Sequence, residues 1–235
     1  MVGDAESGIY SCAYIVYTII AVTYSSLDTV WGPWFYEQMS TENYAGIMST
    51  ARKYSWGIGL FTSGLLLISP EIITILGTAS YHDAAYLTVP IIIGGFFSYL
   101  YSFPAQVEYY YEKTKYIAIG TSCAAVFNIL SNYICIQKFG YQAAAYTTLV
   151  TYVLYFVFHY IISRKVCSKK IYDFKGFIII ICVVTFVGIV TQTAIGYVIL
   201  RWSLAIIAGF AFCIYMDKQF NIRKKIISKI AGEKK

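Results

Sequence analysis

Seven long apolar runs, separated by short polar breaks, constrain this chain more than any other feature. A helix needs about 20 mostly apolar residues to cross the hydrocarbon core of a bilayer. Because backbone N–H and C=O groups find no water in lipid, such runs are predicted to be helices. The predicted spans are Ile9–Tyr36, Tyr54–Leu76, Ala84–Val107, Tyr116–Ile136, Tyr141–Ser163, Phe174–Leu200 and Trp202–Met216.

The composition agrees with a membrane protein. Hydrophobic residues make up 58% of the chain and charged residues 13%, against about 45–50% and 25% in an average soluble domain. The apolarity is continuous along each run, whereas the strands of an outer-membrane barrel alternate apolar and polar residues. The sequence therefore predicts an all-α, polytopic membrane helical bundle with seven transmembrane helices.

Basic residues gather on alternate breaks, and this asymmetry predicts the topology. Of the 18 Lys and Arg residues, only Lys138 and Arg201 fall on one side. The other side holds Arg52, Lys53, Lys113, Lys115, Arg164, Lys165, Lys169, Lys170, Lys175 and the cations of the tail 217–235. Because cytoplasmic loops are rich in Lys and Arg, the chain is predicted to start outside the cell and to end in the cytoplasm.

The net charge of +6 is interpreted as part of this topology signal. A nucleic-acid-binding protein would gather its cations on a soluble face beside stacking aromatic residues, and the sequence has no such pattern. The basic tail 217–235 is instead expected to contact anionic lipid headgroups. Membrane lipids, and not nucleic acid, are therefore the expected partners of the charged segments.

The cysteine and histidine spacings do not indicate metal or disulfide chemistry. The six cysteines, at positions 12, 123, 135, 167, 182 and 213, contain no C-x-x-C pair and are interpreted as packing residues. His82 and His159 lie far apart in the sequence, so no zinc site is predicted. No cofactor is expected.

Polar residues inside the first run share one helical face, which includes Ser25 and Asp28. Asp28 is the one carboxylate well inside a predicted span, and such groups usually face water or a partner. Asp28 and Ser25 are therefore candidates for a functional site that faces a wet cavity. The alternative is a shorter span, with Asp28 in a re-entrant or interfacial turn before Pro33. Three carboxylates near span ends are expected at the membrane interface: Glu37, Glu71 and Glu108.

The fourth and fifth runs carry stripes of small and polar residues, among them Asn128, Asn132 and Thr148. Such stripes let helices approach closely and form hydrogen bonds across the contact. The two runs are therefore predicted to form a tight antiparallel pair around the turn Lys138–Gly140. A solvated transport cavity is the alternative interpretation of the same residues.

The order of these segments resembles the C-terminal half of an oligosaccharide/polysaccharide flippase. That family belongs to the superfamily of lipid II flippases and multidrug exporters (MOP, or MATE-like). The resemblance covers roughly Gly8 to Lys165 and includes GIYSCAYIVYTIIAVTYSSLDTVWGPWFYEQM and LLLISPEIITILGTASYHDAAYLTVPIII. The family's pattern N-x-x-x-N, G, A-A-x-x-T stands here as Asn128, Asn132, Gly140, Ala144, Ala145 and Thr148.

The resemblance implies a particular architecture and activity. Members have two pseudo-symmetric lobes, often followed by two extra helices, around a cavity that opens alternately to each side of the bacterial cytoplasmic membrane. They move an undecaprenyl-pyrophosphate-linked oligosaccharide outward for capsule, O-antigen or exopolysaccharide synthesis. In a fourteen-helix member, the seven spans would be helices 8–14. Residues 1–165 would then form the C-lobe, 166–216 two additional transmembrane helices, and 217–235 a basic cytoplasmic tail.

The resemblance also implies site residues and partners. Arg52 and Lys53 are candidate contacts for the pyrophosphate headgroup, with topology-setting charge as the alternative. Asn128, Asn132 and Thr148 are candidates for sugar or cavity contacts, and Asp28 with Ser25 for coupling to H+ or Na+, since some members use an ion gradient. The start MVGDAESG lacks the basic region of a signal peptide, so upstream sequence is expected. The expected partners are the lipid-linked substrate, a missing N-terminal lobe or partner chain, and other polysaccharide-assembly proteins.

Three other functions were weighed. A drug or cation exporter of the same superfamily is the main alternative. A membrane glycosyltransferase or polymerase would need a cluster of carboxylates, which the sequence lacks. A seven-helix retinal receptor would need a Lys in the middle of one of the last two spans, and Lys175, at the edge of the sixth span, is the only Lys in either. The chain is therefore expected to be a transporter rather than an enzyme.

The topology can be tested with reporter fusions. A reporter that is active only in the cytoplasm, fused after Lys235, should be active, because the basic breaks are expected inside. The same reporter inserted at Gly140 should be silent. Activity at Gly140 and silence after Lys235 would show that the orientation is inverted.

Overall fold

The protein is an all-helical bundle in the residues that the structure, a computed structural model, describes, namely 3–77 and 81–221. The helices are α1 (Asp4–Ser40), α2 (Tyr44–Leu76), α3 (Ala84–Leu100), α4 (Ser102–Tyr110), α5 (Thr114–Phe139), α6 (Ala143–Val166), α7 (Phe174–Thr193) and α8 (Val198–Phe220). Only Tyr101 separates α3 from α4, and together they form one segment, Ala84–Tyr110. The described residues thus contain seven segments long and apolar enough to cross a membrane, which confirms the predicted fold class.

Successive segments run antiparallel, so their connections fall at two ends of the bundle. We call the end with connections 41–43, 111–113 and 167–173, and with the last turn of α8, the basic end, because most of the cations lie there. The opposite end holds the start of α1 and the connections 140–142 and 194–197.

α3 lies at the centre of the bundle. It is apolar on all sides, as expected for a helix surrounded by other helices, and it packs against α1, α2, α6 and α7. In contrast, α5 has a single buried residue, Gly120, and α8 a single one, Arg201. α5 and α8 therefore form the periphery of the described bundle.

In the first hairpin, the structure changes one predicted boundary and excludes one alternative. α2 begins at Tyr44 rather than at Tyr54, because Asn43 caps its first turn by accepting a hydrogen bond from the backbone N of Gly46 at 3.0 Å. α1 continues as a helix through Pro33 to Ser40. The alternative of a re-entrant turn at Asp28 is therefore excluded.

The last break also lies elsewhere than predicted. It occupies residues 194–197, so α7 ends before Leu200 and α8 begins before Trp202. Both α7 and α8 pack on α2, and α7 also contributes Phe177, Ile180 and Val184 to the hydrophobic core of the predicted C-lobe. Of the predicted tail, residues 217–220 continue α8, and residues 222–235 lie outside the described part of the chain.

Arg201 shows why the break moved. Its side chain is 2% exposed, and its guanidinium binds both carboxylate oxygens of Glu71 at 2.6 Å. It also donates to the carbonyls of Ala194, Ile195 and Leu67. The first two carbonyls lie just after the last residue of α7, and that of Ala194 also accepts a hydrogen bond from the backbone N–H of Tyr197. Arg201 is thus a buried link between α2, α7 and α8, rather than an exposed residue in a break.

Removing this cation should destabilise the bundle. We expect Arg201→Met to lower the free energy of unfolding by about 3–5 kcal/mol, because Glu71 would keep a partly buried charge without a partner. The measurement is unfolding in mixed micelles of increasing denaturing detergent. Lys138→Met, at an exposed lysine of the same end, is the matched control. Equal stability of the two variants would contradict a structural role of Arg201.

Candidate functional site

A cavity of about 490 Å³ opens between α1, the junction of α3 and α4, and the pair α5–α6. We call it the tyrosine cavity. Its lining is formed by Tyr10, Tyr14, Ser98, Tyr101, Thr121, Ala124, Ala125, Asn128, Thr148, Thr151, Tyr152 and Tyr155. None of these side chains carries a charge, and ten of the twelve offer a hydroxyl or an amide. The cavity is therefore suited to a neutral polar solute.

Aromatic rings form two walls of the tyrosine cavity. On α1, Tyr10 and Tyr14 are four residues apart, so they share a helical face, and their ring centroids lie 6.0 Å apart. On the other side, the ring of Tyr101 lies 4.5 Å from that of Tyr155. The hydroxyl of Tyr155 is hydrogen-bonded to that of Thr121 at 2.8 Å, which joins this wall to α5.

Asn128 and Asn132 hold α5 against α6. Nδ2 of Asn128 donates to Oγ1 of Thr151 at 3.1 Å and, less closely, to that of Thr148 at 3.4 Å. Nδ2 of Asn132 donates to Oδ1 of Asn128 at 3.0 Å, and the hydroxyl of Thr147 donates to Oδ1 of Asn132. The stripe thus provides packing, as one interpretation predicted, and its members Asn128 and Thr148 also line the cavity.

Gly140 makes the tight α5–α6 connection possible. It ends α5 with φ 78° and ψ −179°, a conformation available essentially only to glycine. α6 begins at Ala143, so the two helices return along each other directly. The antiparallel pair predicted around this turn is therefore confirmed.

Asp28 and Ser25 do not line the tyrosine cavity. Asp28 is partly buried, and its Oδ1 accepts a hydrogen bond from the hydroxyl of Ser102 at 3.1 Å. Because Ser102 follows Tyr101, Asp28 lies next to one wall of the cavity. Ser25 is exposed, and its hydroxyl donates to the backbone carbonyl of Val22 in its own helix.

Arg52 and Lys53 lie away from the tyrosine cavity. Lys53 borders a second, largely apolar cavity of about 360 Å³ between α1, α2 and α8. We call it the apolar groove; its lining includes Leu27, Tyr54, Ile58, Phe61, Phe212 and Met216. Arg52 is exposed, and its Cδ lies near Gly176 at the start of α7. Of the two candidate headgroup contacts only Lys53 borders the groove, and neither lines the cavity that holds the asparagines.

Glu108 lies near the end of α4, and its side chain is completely buried inside the bundle. α4 packs on α6, and this contact buries Glu108 completely against His159, which is 0% exposed as well. Nδ1 of His159 lies 2.7 Å from Oε1 of Glu108. The sequence offered one signal for this pair: each residue is an ionisable group in an otherwise apolar run, and such groups usually have a partner.

Comparison with known proteins adds no relative to this description. No protein-family model matches the chain, and neither a curated protein nor a solved structure matches it. The resemblance to flippases therefore stays a prediction from the sequence.

The tyrosine cavity should be accessible to water. In a chain whose six native cysteines are replaced by Ala, we expect Thr148→Cys to react with a membrane-impermeant thiol reagent about tenfold faster than Val150→Cys, because only a hydrated thiol ionises readily. Val150 is the matched control, since it is 46% exposed on the outer face of the same helix. Equally slow labelling at both positions would mean that the cavity is dry.

Proposed function

We propose that this chain forms one lobe of a flippase, which moves a lipid-linked oligosaccharide unit across the bacterial cytoplasmic membrane for surface polysaccharide biosynthesis. The tyrosine cavity is the observation that carries the proposal. A sugar presents hydroxyl groups at its edge and C–H groups on its faces. The cavity offers matching hydroxyl and amide groups, such as Asn128 and Thr148, and aromatic rings such as Tyr14 and Tyr101.

The energetics of flipping favour such a lining. A sugar headgroup that crosses the membrane must exchange its hydration for polar protein groups, because the hydrocarbon core offers none. An uncharged lining provides these groups without the cost of burying a charge. The substrate class that fits best is thus a neutral or weakly charged oligosaccharide.

Transport by alternating access needs a second lobe. In the described bundle α1 packs on α2, α3 and α4, whereas α5 packs mainly on α6, and the tyrosine cavity lies between these two groups. Alternating access rocks one lobe against another around a site between them, and a single lobe supplies only one side of such a site. We therefore include in the proposal a partner lobe, on the same polypeptide or on another chain, that closes the cavity.

The apolar groove supplies a complementary site for the lipid part of the substrate. Its aromatic and aliphatic lining suits a hydrocarbon chain, and Lys53 at its edge suits a phosphate. The groove and Lys53 lie toward the basic end of the bundle. The positive-inside rule places this end in the cytoplasm, where the substrate would be loaded. Asp28, which lies on α1 and accepts a hydrogen bond from Ser102 of α4, is the candidate for coupling to H+ or Na+.

One observation favours a second candidate, the export of an organic cation or drug. The tyrosine rings lie next to the carboxylate of Asp28, through Ser102 and Tyr101. Aromatic faces attract cations, and a carboxylate would neutralise their charge. The same cavity would then bind a cationic aromatic compound instead of a sugar.

The test is complementation of a strain that lacks the gene. Deletion should cause lipid-linked oligosaccharide to accumulate in the inner leaflet, and the gene should restore surface polysaccharide. We expect Tyr14→Ala to lower the restored transport rate roughly three- to tenfold, because one aromatic contact contributes about 0.5–1.5 kcal/mol. Tyr133→Ala is the control, at a tyrosine exposed outside the cavity.

The two candidates give different outcomes in this strain. Unchanged polysaccharide together with lost efflux of cationic dyes, and sensitivity of that efflux to Asp28→Asn, would select the exporter. Unchanged polysaccharide and unchanged dye efflux would reject both.

A further inference from the structure

We propose that Glu108 and His159 form a proton-binding site at the basic end of the bundle, and that loss of its proton loosens the first half of α5. The site would bind its proton whichever solute the tyrosine cavity takes. It involves residues on α4 and α6, and it is covered by α5. Its ligand is a proton, exchanged with water.

The geometry of the pair leaves two polar atoms without partners. Nδ1 of His159 and Oε1 of Glu108 are 2.7 Å apart, and both side chains are fully buried. Among residues 3–77 and 81–221, Oε2 of Glu108 and Nε2 of His159 find no hydrogen-bond partner. A buried polar atom without a partner costs free energy, so each of these atoms would gain from contact with water.

The charge balance of the pair depends on one proton. With that proton, the pair is either a carboxylate and an imidazolium or a carboxylic acid and an imidazole, and it is neutral in both forms. Without the proton it carries a net negative charge, which is costly in a buried place. Within residues 3–77 and 81–221, neither side chain forms an ion pair with a Lys or Arg that would compensate it. A pair without this proton would therefore favour an arrangement that admits water.

The titratable groups near the pair do not compensate the negative charge that loss of the proton would leave. Tyr155, on α6, presents its ring edge-on to His159 with the centroids 4.4 Å apart, and the ring of Tyr101 lies 5.7 Å away. Tyr109 on α4 lies near Tyr155, and from α5 the backbone at Gly120 faces His159. Tyrosines remain neutral over the physiological range, so the histidine and the glutamate decide the charge.

Gly120 is the cover of the site. A Cβ atom at Gly120 would lie 2.9 Å from Nε2 of His159, so the α5 backbone closes directly over that nitrogen. Gly120 is also the one buried residue of α5. Because few other contacts hold this half of the helix, a small outward movement suffices to admit water to Nε2.

Proton release can then be written as a single step. In the ion-pair form, the N–H bond at Nε2 breaks, its electron pair stays on the imidazole, and the proton passes to a water in the opened gap. The carboxylate of Glu108 keeps its hydrogen bond from Nδ1–H. Because the deprotonated pair is charged, it is stabilised by the hydrated, open arrangement, so proton loss and opening favour each other.

The movement would reach the tyrosine cavity. Thr121 follows Gly120, and its hydroxyl is bonded to that of Tyr155 in the cavity wall. Farther along α5, the contacts of Asn128 and Asn132 hold the helix to α6. Opening is therefore expected in residues 114–127 and not in residues 129–139.

Hydrogen exchange measured by mass spectrometry tests the proposal with the full chain in lipid nanodiscs. Between about pH 5 and 9, and after correction for base catalysis, exchange in residues 114–127 should accelerate up to about tenfold per pH unit above a transition, as expected for one linked proton. Residues 129–139 and the central helix α3 serve as internal controls and should show no such change. Exchange in 114–127 that is independent of pH would overturn the proposal.

Two variants identify the group that titrates. Glu108→Gln keeps the size of the side chain but removes the carboxylate, and it should abolish the pH dependence. In a His82→Gln chain labelled with ¹⁵N-histidine, His159 is the sole source of the imidazole signal, and its change should coincide with the transition in exchange. An unchanged transition in Glu108→Gln, or an imidazole signal constant across it, would overturn the proposal. None of these measurements needs a substrate, so the outcome is distinguishable from that of the transport assay.

Discussion

The absence of water in the hydrocarbon core is the constraint on which this structure depends. It requires every backbone polar group of a crossing segment to be paired, so the described segments are helices. It acts equally on side chains, as Arg201 shows: this residue is buried and makes hydrogen bonds to Glu71 and to three backbone carbonyls. That single side chain completes the end of α7 and attaches α8 to α2.

Because unpaired polar groups are costly in a membrane, those that are not fully paired mark candidate functional sites. The tyrosine cavity concentrates hydroxyl and amide groups where a solute can bind, and Asn128 serves both the cavity and the α5–α6 contact. The pair of Glu108 and His159 is satisfied on one side only. The two sites are neighbours, since Tyr155 lines the cavity and touches His159. Binding of a solute and of a proton is therefore expected to be physically linked through α5.

Much of the fold follows from local sequence, because a helix that crosses lipid needs only its own residues. The apolar runs predicted all seven segments, and the turn at Gly140 predicted the α5–α6 pair. The segment ends were less predictable. The cap at Asn43 makes α2 begin before its predicted start. Arg201 was predicted to lie in a break, because a lone cation between apolar residues resembles an interfacial residue until its partner, Glu71, is known.

The candidate site shows the same division. The sequence by itself determined that the chain is a helical membrane bundle and that Asn128, Asn132 and Thr148 belong together, because helical periodicity and one tight turn bring them to a common face. Only the tertiary structure decided that Glu108 meets His159, that Glu71 meets Arg201, and that tyrosines from α1 and α6 enclose one cavity. These contacts join residues far apart in the chain. The packing of the whole bundle decides which helix faces are in contact, and the hydropathy pattern of the sequence does not predict these contacts.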